Sequence, residues 1–271
     1  MDFASAIGLI VGIILIIGAI FLEGNPQLYV SLHGFMIALG GVVASICLAY
    51  PMRDVLKVIK YLKEVFFIKN RMDQIKLVDM FEEFARMIRK DGLIAMEYVA
   101  DRIDDAFYKQ ACQLIADGTD SEKFQEIMIK DIESTMERNK VGQDIFRFGI
   151  AAGPAFGLIG AVIGIIQMLG ALGEGDAGPE TIAKMAAGMS MALCATLYGI
   201  TLAYLIFAPI SQKLGRRSEE EVAEKTLLLE GFLALQAGDP AQIVRQRMEA
   251  MLPYNQRKSL LTIPAAKKPG I

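Results

Sequence analysis

The sequence predicts an all-α fold: an integral membrane protein with four transmembrane helices and a helical cytoplasmic domain. Three observations predict it. Of the 271 residues 54% are hydrophobic and the mean hydropathy is +0.39, yet 22% are charged, figures that fit together only if the two kinds are segregated along the chain. They are segregated: residues 3–22, 28–52, 148–172 and 185–212 contain no Asp, Glu, Lys or Arg, and each reaches the roughly 20 residues that a helix needs to cross about 30 Å of hydrocarbon. Lys and Arg, finally, are absent from the short connections 23–27 and 173–184 except for Lys184, and otherwise fall within 53–147 or after 212. The positive-inside rule makes those two basic segments and both termini cytoplasmic. Buried helices of a large soluble protein would give similar apolar runs, but four of them in so short a chain argue against that reading.

The elements follow in order. The first run is preceded by Asp2 and no basic residue, and Glu23-Gly24-Asn25 does not match a small-residue cleavage site, so it is read as a retained span and not as a signal peptide. It pairs with the second run as a hairpin, residues 1–52. Residues 53–147 read as a cytoplasmic helical domain with no strand pattern. Met80, Phe81, Phe84, Met87 and Ile88 recur at helical spacing, with Glu82, Glu83, Arg86 and Arg89 opposite. Gly92 stops that helix after Arg89-Lys90, and Asp91 is read as the start of the next, which is expected to run to about Ile115. Asp117-Gly118-Thr119-Asp120 makes a turn. Ser121 starts a helix with Phe124, Ile127, Met128, Ile132 and Met136 as its apolar stripe, leading directly into the third span. The second hairpin, residues 148–212, passes into cytoplasmic C-terminal helices, 213–252. The first of these runs to about Ala237 and stops at Gly238, and Asp239-Pro240 is expected to cap the second. The tail 253–271 is polar, basic and proline-containing, a composition that predicts disorder.

Spans three and four differ from one and two. Gly153, Gly157, Gly160 and Gly164 stand at i, i+4, i+7 and i+11, and Gly188, Ala192, Ala195, Gly199 and Ala203 repeat the pattern, so each helix has one face without side-chain bulk. Small faces allow close backbone approach in lipid. They either pack spans three and four together or surround an additional helix and line a narrow path, and both can hold at once. Pro154 and Pro209, near the cytoplasmic ends, remove backbone donors and act as tolerated kinks or as hinges. Thr196, in mid-span, either bonds its own helix or lines a path.

Equally informative is an absence. No span holds a carboxylate, and the one ionisable ring is His33, read as an interfacial residue near the outer end of span two. Intramembrane carboxylates are the usual carriers of ion translocation; if this chain conducts ions, a partner must bring the acid. Cys47, Cys112 and Cys194 are too widely spaced for a disulfide framework or a zinc site and are read as small apolar fillers. There is no nucleophile–base pair, metal cluster or phosphate loop to make an enzyme, so no catalytic residue, metal or cofactor is assigned. The net charge of -3, without a basic patch interleaved with aromatics, does not suggest nucleic acid, and none is expected as a partner. In the charged loop Glu97, Asp101, Asp104 and Asp105 form an acidic stripe, and Arg86, Arg89 and Lys90 a basic patch before Gly92. Each is a solvated face or a surface awaiting an oppositely charged partner.

GPAFGLIGAVIG (153–164), ALCATLYGI (192–200), Gly40-Gly41 and RKDGLIAMEY (89–98) together resemble the MotA/PomA family of flagellar stator subunits, over nearly the whole chain. The resemblance implies a bacterial inner-membrane protein in which five copies surround two single-span MotB-type partners. The partners' membrane aspartate supplies the missing acid, and ion flow drives rotation against the rotor protein FliG. Carried over by position, Arg89, Lys90 and Glu97 would be the rotor-facing charges, Pro154 and Pro209 the hinge prolines, and Thr196 the pore threonine. In sodium-driven members the residue seven after the first proline is typically threonine. Ala161 stands there instead, which removes an oxygen that would replace sodium's hydration shell and favours H+ over Na+ as the transported ion. An ExbB/TolQ-type energiser of outer-membrane processes is the alternative. Those relatives have three spans with the large loop after the first, whereas two spans precede the loop in this chain.

Overall fold

The structure, a computed structural model, describes residues 3–22, 24–66, 73–100, 105–173, 178–254 and 257. The helices are α1 (Phe3–Leu22), α2 (Leu32–Phe35), α3 (Gly41–Ala49), α4 (Met52–Val55), α5 (Val58–Phe66), α6 (Gln74–Asp91), α7 (Ala95–Ala100), α8 (Ala106–Ala116), α9 (Ser121–Gly173), α10 (Pro179–Thr201), α11 (Ala208–Gln236) and α12 (Ala241–Ala250). A 3-10 turn at Pro26–Tyr29 precedes α2, and π-helical turns at Met36–Gly40 and Leu202–Phe207 precede α3 and α11. Among the described residues there is no strand. Three stretches, Pro26–Ala49, Ser121–Gly173 and Pro179–Gln236, are long and apolar enough to cross a membrane, and a shorter apolar helix covers Ile7–Leu22. The fold is therefore all-helical with membrane-length helices. The tail from 258 and the acidic positions Asp101 and Asp104 lie outside the described residues.

Two compact units share these helices. The first draws on the described residues of Met1–Lys69 and Arg138–Arg217. Many of its large apolar side chains point outward, Leu158, Ile159, Val162 and Ile166 among them. Water would penalise such a surface, whereas lipid does not. Inside, Val42 and Ile46 of α3 pack with Ile145 and Ala152 of α9, joined by Phe156, which covers Gly41. Val65, Phe146, Ile210 and Leu214 form a second cluster, beside which Arg217 donates to the Val65 carbonyl at 3.0 Å. Asp54, in the first turn of α4, accepts from Lys57 Nζ at 2.7 Å, and that bond holds its carboxyl below the usual range.

The two prolines differ in their setting. Pro154 lies within α9, which continues through it, while Pro209 is the second residue of α11, with one residue between it and the π-turn Leu202–Phe207. Proline has no N–H to return to Leu205, four residues back. The backbone N–H of Ala208 reaches instead to the Ala203 carbonyl, five back, which is the π spacing.

The second unit draws on the described residues of Asn70–Glu137 and Ser218–Ile271 and has a conventional aromatic core. Phe81 and Tyr108 pack edge-on to Phe232 with ring centroids 4.9 and 5.1 Å apart, and Phe124 closes the cluster. Arg245 of α12 ties that helix to Asp79 and Glu82 of α6, while Lys225 of α11 reaches Asp131 at 2.8 Å and Thr135 at 2.7 Å on α9.

Several expectations need correction in this unit. Asp91 does not begin a helix: α6 includes it, and Gly92, at φ +81, ends the helix from a conformation that suits glycine alone. The single helix expected up to Ile115 is two, α7 and α8, because Asp105 caps a new start by accepting from Phe107 N at 3.1 Å and Tyr108 N at 3.2 Å. Asp239 does not cap α12; its carboxylate is taken by Arg247 at 2.8 Å, and Pro240 holds the cap position without a side-chain bond. On α9, Phe124 and Met128 are buried as expected, but Ile127 and Met136 are exposed and Thr135 is buried in their place.

Candidate functional site

The glycine positions of α9 and α10 meet each other. Gly153, Gly157, Gly160, Gly164, Gly188, Ala192, Ala195 and Gly199 are all buried, and each glycine looks at backbone or at an alanine of the facing helix. A methyl placed on Gly153 would stand 2.7 Å from the Gly199 carbonyl oxygen, and one on Gly188 would stand 2.7 Å from that of Gly164. The two faces therefore form one seam. Of the two open roles, mutual packing is the one the chain itself fills. The same two helices leave exposed flanks that carry Leu158, Val162, Leu193 and Ile200.

Thr196 lies at the edge of this seam. Its hydroxyl bonds the Ala192 carbonyl one turn back at 3.1 Å and approaches the Gly157 carbonyl of α9 at 3.4 Å. Back-bonding to its own helix is thus what the chain shows. Gly157 is also the residue whose carbonyl accepts the helical N–H of Ala161, so Thr196 and the half-buried Ala161 meet at the same turn of α9. Pro154 lies one turn below on α9, and Pro209 is exposed beyond the π-turn.

Sequence reasoning missed a polar stripe further along α10. Ser190, Cys194 and Tyr198 stand at i, i+4 and i+8, and all three face the end of the 3-10 turn and the extended residues that lead to α2. Ser190 Oγ donates to the Leu28 carbonyl at 2.9 Å, and Cys194 Sγ donates to the same oxygen at 3.3 Å. The Tyr198 hydroxyl donates to the Tyr29 carbonyl and accepts from Ser31 N at 3.0 Å. Cys194 is therefore more than a filler. The signal was available: three hydrogen-bonding side chains at helical spacing within a charge-free span. A cavity of about 690 Å³ opens beside this stripe, lined by Ser31, His33, Gln167, Lys184, Ser190 and Met191 among others. His33 is exposed there, apart from Thr196 in sequence and in surroundings.

In the second unit, Arg89, Lys90 and Glu97 are exposed around the Gly92 turn. Among the described residues none of the three side chains makes an ion pair or hydrogen bond, in contrast to Arg86, which pairs with Glu82. Ile94 and Tyr98, 65% and 73% exposed, accompany them. Among the described residues there is no group of three or more His, Cys, Asp or Glu placed to hold a metal.

The profile of the MotA/TolQ/ExbB proton channel family matches residues 99–226. Motility protein A of Borreliella burgdorferi is 31% identical over 96% of this chain and 97% of its own length. Chemotaxis protein PomA of Vibrio alginolyticus is 31% identical over 97% of this chain and 99% of its own. The structure of the flagellar MotAB stator complex from Bacillus subtilis superposes with a TM-score of 0.82 at 29% identity, covering 96% of this chain and 99% of that one.

Proposed function

The chain belongs to the MotA/TolQ/ExbB proton channel family and is a MotA-like ion-channel stator subunit of the flagellar motor, and on that premise we propose how its residues divide the work. One observation carries the reading: the four charge-free runs hold no carboxylate, so this subunit builds the wall of an ion path without the group that takes up the ion. A MotB-type single-span subunit brings an aspartate to that wall, and a homopentamer of this chain surrounds two such partners in the bacterial inner membrane. Four spans, with both termini cytoplasmic, place the basic and acidic segments 53–147 and 213–252 inside.

The exposed flanks of α9 and α10 face the partner helices, and Thr196 and Ala161 lie where the ion passes. Ala161 offers no oxygen, so the path has one ligand fewer with which to replace sodium's hydration shell, which favours H+. Flow past the partner's carboxylate turns the pentamer, with Pro154 and Pro209 as the compliant points. Arg89, Lys90 and Glu97 engage the rotor protein FliG, and such exposed charges steer and orient that contact more than they tighten it. The family model includes TolQ and ExbB, but Motility protein A and PomA match this chain along nearly their full length, which favours the motor over the energiser.

A stator deletion strain carrying this chain and its partner tests the reading in a swimming assay at defined sodium concentrations, with and without a proton uncoupler. Swimming that persists without sodium and stops with the uncoupler supports it. Loss of swimming on removing sodium overturns the choice of ion, and failure to restore swimming under any condition overturns the assignment to a motor.

A further inference from the structure

We infer that Ser190, Cys194 and Tyr198 form a hydrogen-bonded strap that holds the irregular segment 28–31 onto α10, and that Tyr198 is through it a positioning residue for the Thr196 turn. Between the 3-10 turn and α2 the chain is extended, with Val30 at φ -109, ψ 104 and Ser31 at φ -125, ψ 110. Extended residues inside a run of apolar helix leave backbone groups without helical partners, and in hydrocarbon such groups persist only where other parts of the protein satisfy them. Three successive turns of α10 do so. Ser190 and Cys194 serve Leu28, while Tyr198 serves both sides of the break, Tyr29 and Ser31.

The strap closes into a ring. Ser31, held by Tyr198, accepts the N–H of Gly34 with its side chain at 3.2 Å. Gly34 is buried directly against α10: a methyl there would stand 3.1 Å from Ala195 N and 3.3 Å from the Met191 carbonyl oxygen. Phe35 adds an edge-on contact to the Tyr198 ring at 6.1 Å. Ala195 is the neighbour of Thr196, so both ends of the ring press on the turn that carries the threonine. Removing the Tyr198 hydroxyl unties Ser31 and Tyr29 together, and Ser31 also lines the adjoining cavity.

The strap itself stands without the motor reading; its consequence for ion flow rests on that reading. The test uses the full chain co-expressed with its partner subunit in membranes, comparing Tyr198→Phe and Ser190→Ala with the parent. Amide hydrogen exchange over residues 26–36 is expected to rise about tenfold or more in Tyr198→Phe, and less in Ser190→Ala, while exchange in α8 stays unchanged. Swimming in the deletion strain is expected to fall in Tyr198→Phe at equal membrane levels. Unchanged exchange in both variants overturns the strap. Raised exchange with unchanged swimming overturns the positioning role. If Tyr198→Phe does not accumulate, Ser190→Ala decides both points by the same readouts. A parent chain that fails to restore swimming tells against the motor reading, and the exchange measurement still decides the strap.

Discussion

Replacing Gly164 by alanine tests whether the seam of α9 and α10 is held at backbone distance. The added methyl would meet the Gly188 carbonyl oxygen at 2.5 Å, Ala192 N at 2.7 Å and Ala192 Cβ at 2.8 Å. Relief to an ordinary contact of about 3.5 Å requires the helices to part by roughly 1 Å, because a helix backbone has no rotamer with which to swing aside. Inserting a methyl into a filled contact costs about 1–3 kcal/mol, and neighbouring pairs along the seam lose a quarter to a half of their dispersion as the gap opens. Alanine offsets this by about 0.5–1 kcal/mol through its better helix propensity. Gly170→Ala on the same helix gains that propensity with nothing within 4 Å of the new methyl. The two variants should therefore differ in stability by about 1–3 kcal/mol, with Gly164→Ala the weaker. The chain has no Trp, so unfolding of the full chain in defined micelles is best followed by far-ultraviolet circular dichroism. Equal stability of the two variants would refute the backbone-to-backbone seam.

Further outcomes are expected in the second unit. Lys225→Met removes the cation that serves Asp131 and Thr135 and should cost about 1–2 kcal/mol, discounted because Asp131 is a third exposed. Adding Asp131→Asn should recover part of that loss, and additive effects would show that the pair is uncoupled. Burial pushes the Cys112 thiol up to about 12. Its contribution to stability is thus present below about pH 8.5, the unfolded value, and declines as pH rises from there towards 12. Site-resolved maleimide labelling at neutral pH should accordingly spare Cys112 until denaturant unfolds the chain. Glu97→Lys changes an exposed side chain that has no ion-pair partner among the described residues, so membrane levels should remain within error while swimming falls; normal swimming would remove Glu97 from the rotor contact.

Local and periodic features were legible in the sequence. Charge-free runs mark membrane-length helices because hydrocarbon leaves few other options, and the spacing of Gly153 to Gly164 marks a smooth helix face whatever lies opposite. What that face meets was not legible, since close packing and a pore lining use the same period. The split between α7 and α8 was missed because Asp105 was grouped with neighbouring acids as one stripe, although a short acidic side chain is also a natural cap. Thr135 replaced Met136 in the buried stripe because Lys225, 90 residues away, supplies its polar partner. The strap depended on pairs such as Tyr198 and Ser31, 167 residues apart, which no local pattern reveals.

The seam has one more consequence, concerning freedom lost rather than contacts made. Glycine and alanine have no side-chain rotamers to freeze when two helices close on each other, so joining α9 to α10 carries little entropic penalty beyond that of the helices themselves. A contact built from longer side chains would tighten as those chains settled and slacken with temperature as they moved. This one has nothing to settle. The spacing of the two helices is set by backbone and Cβ atoms alone. Its cost falls on evolution, because almost every substitution along it is too large.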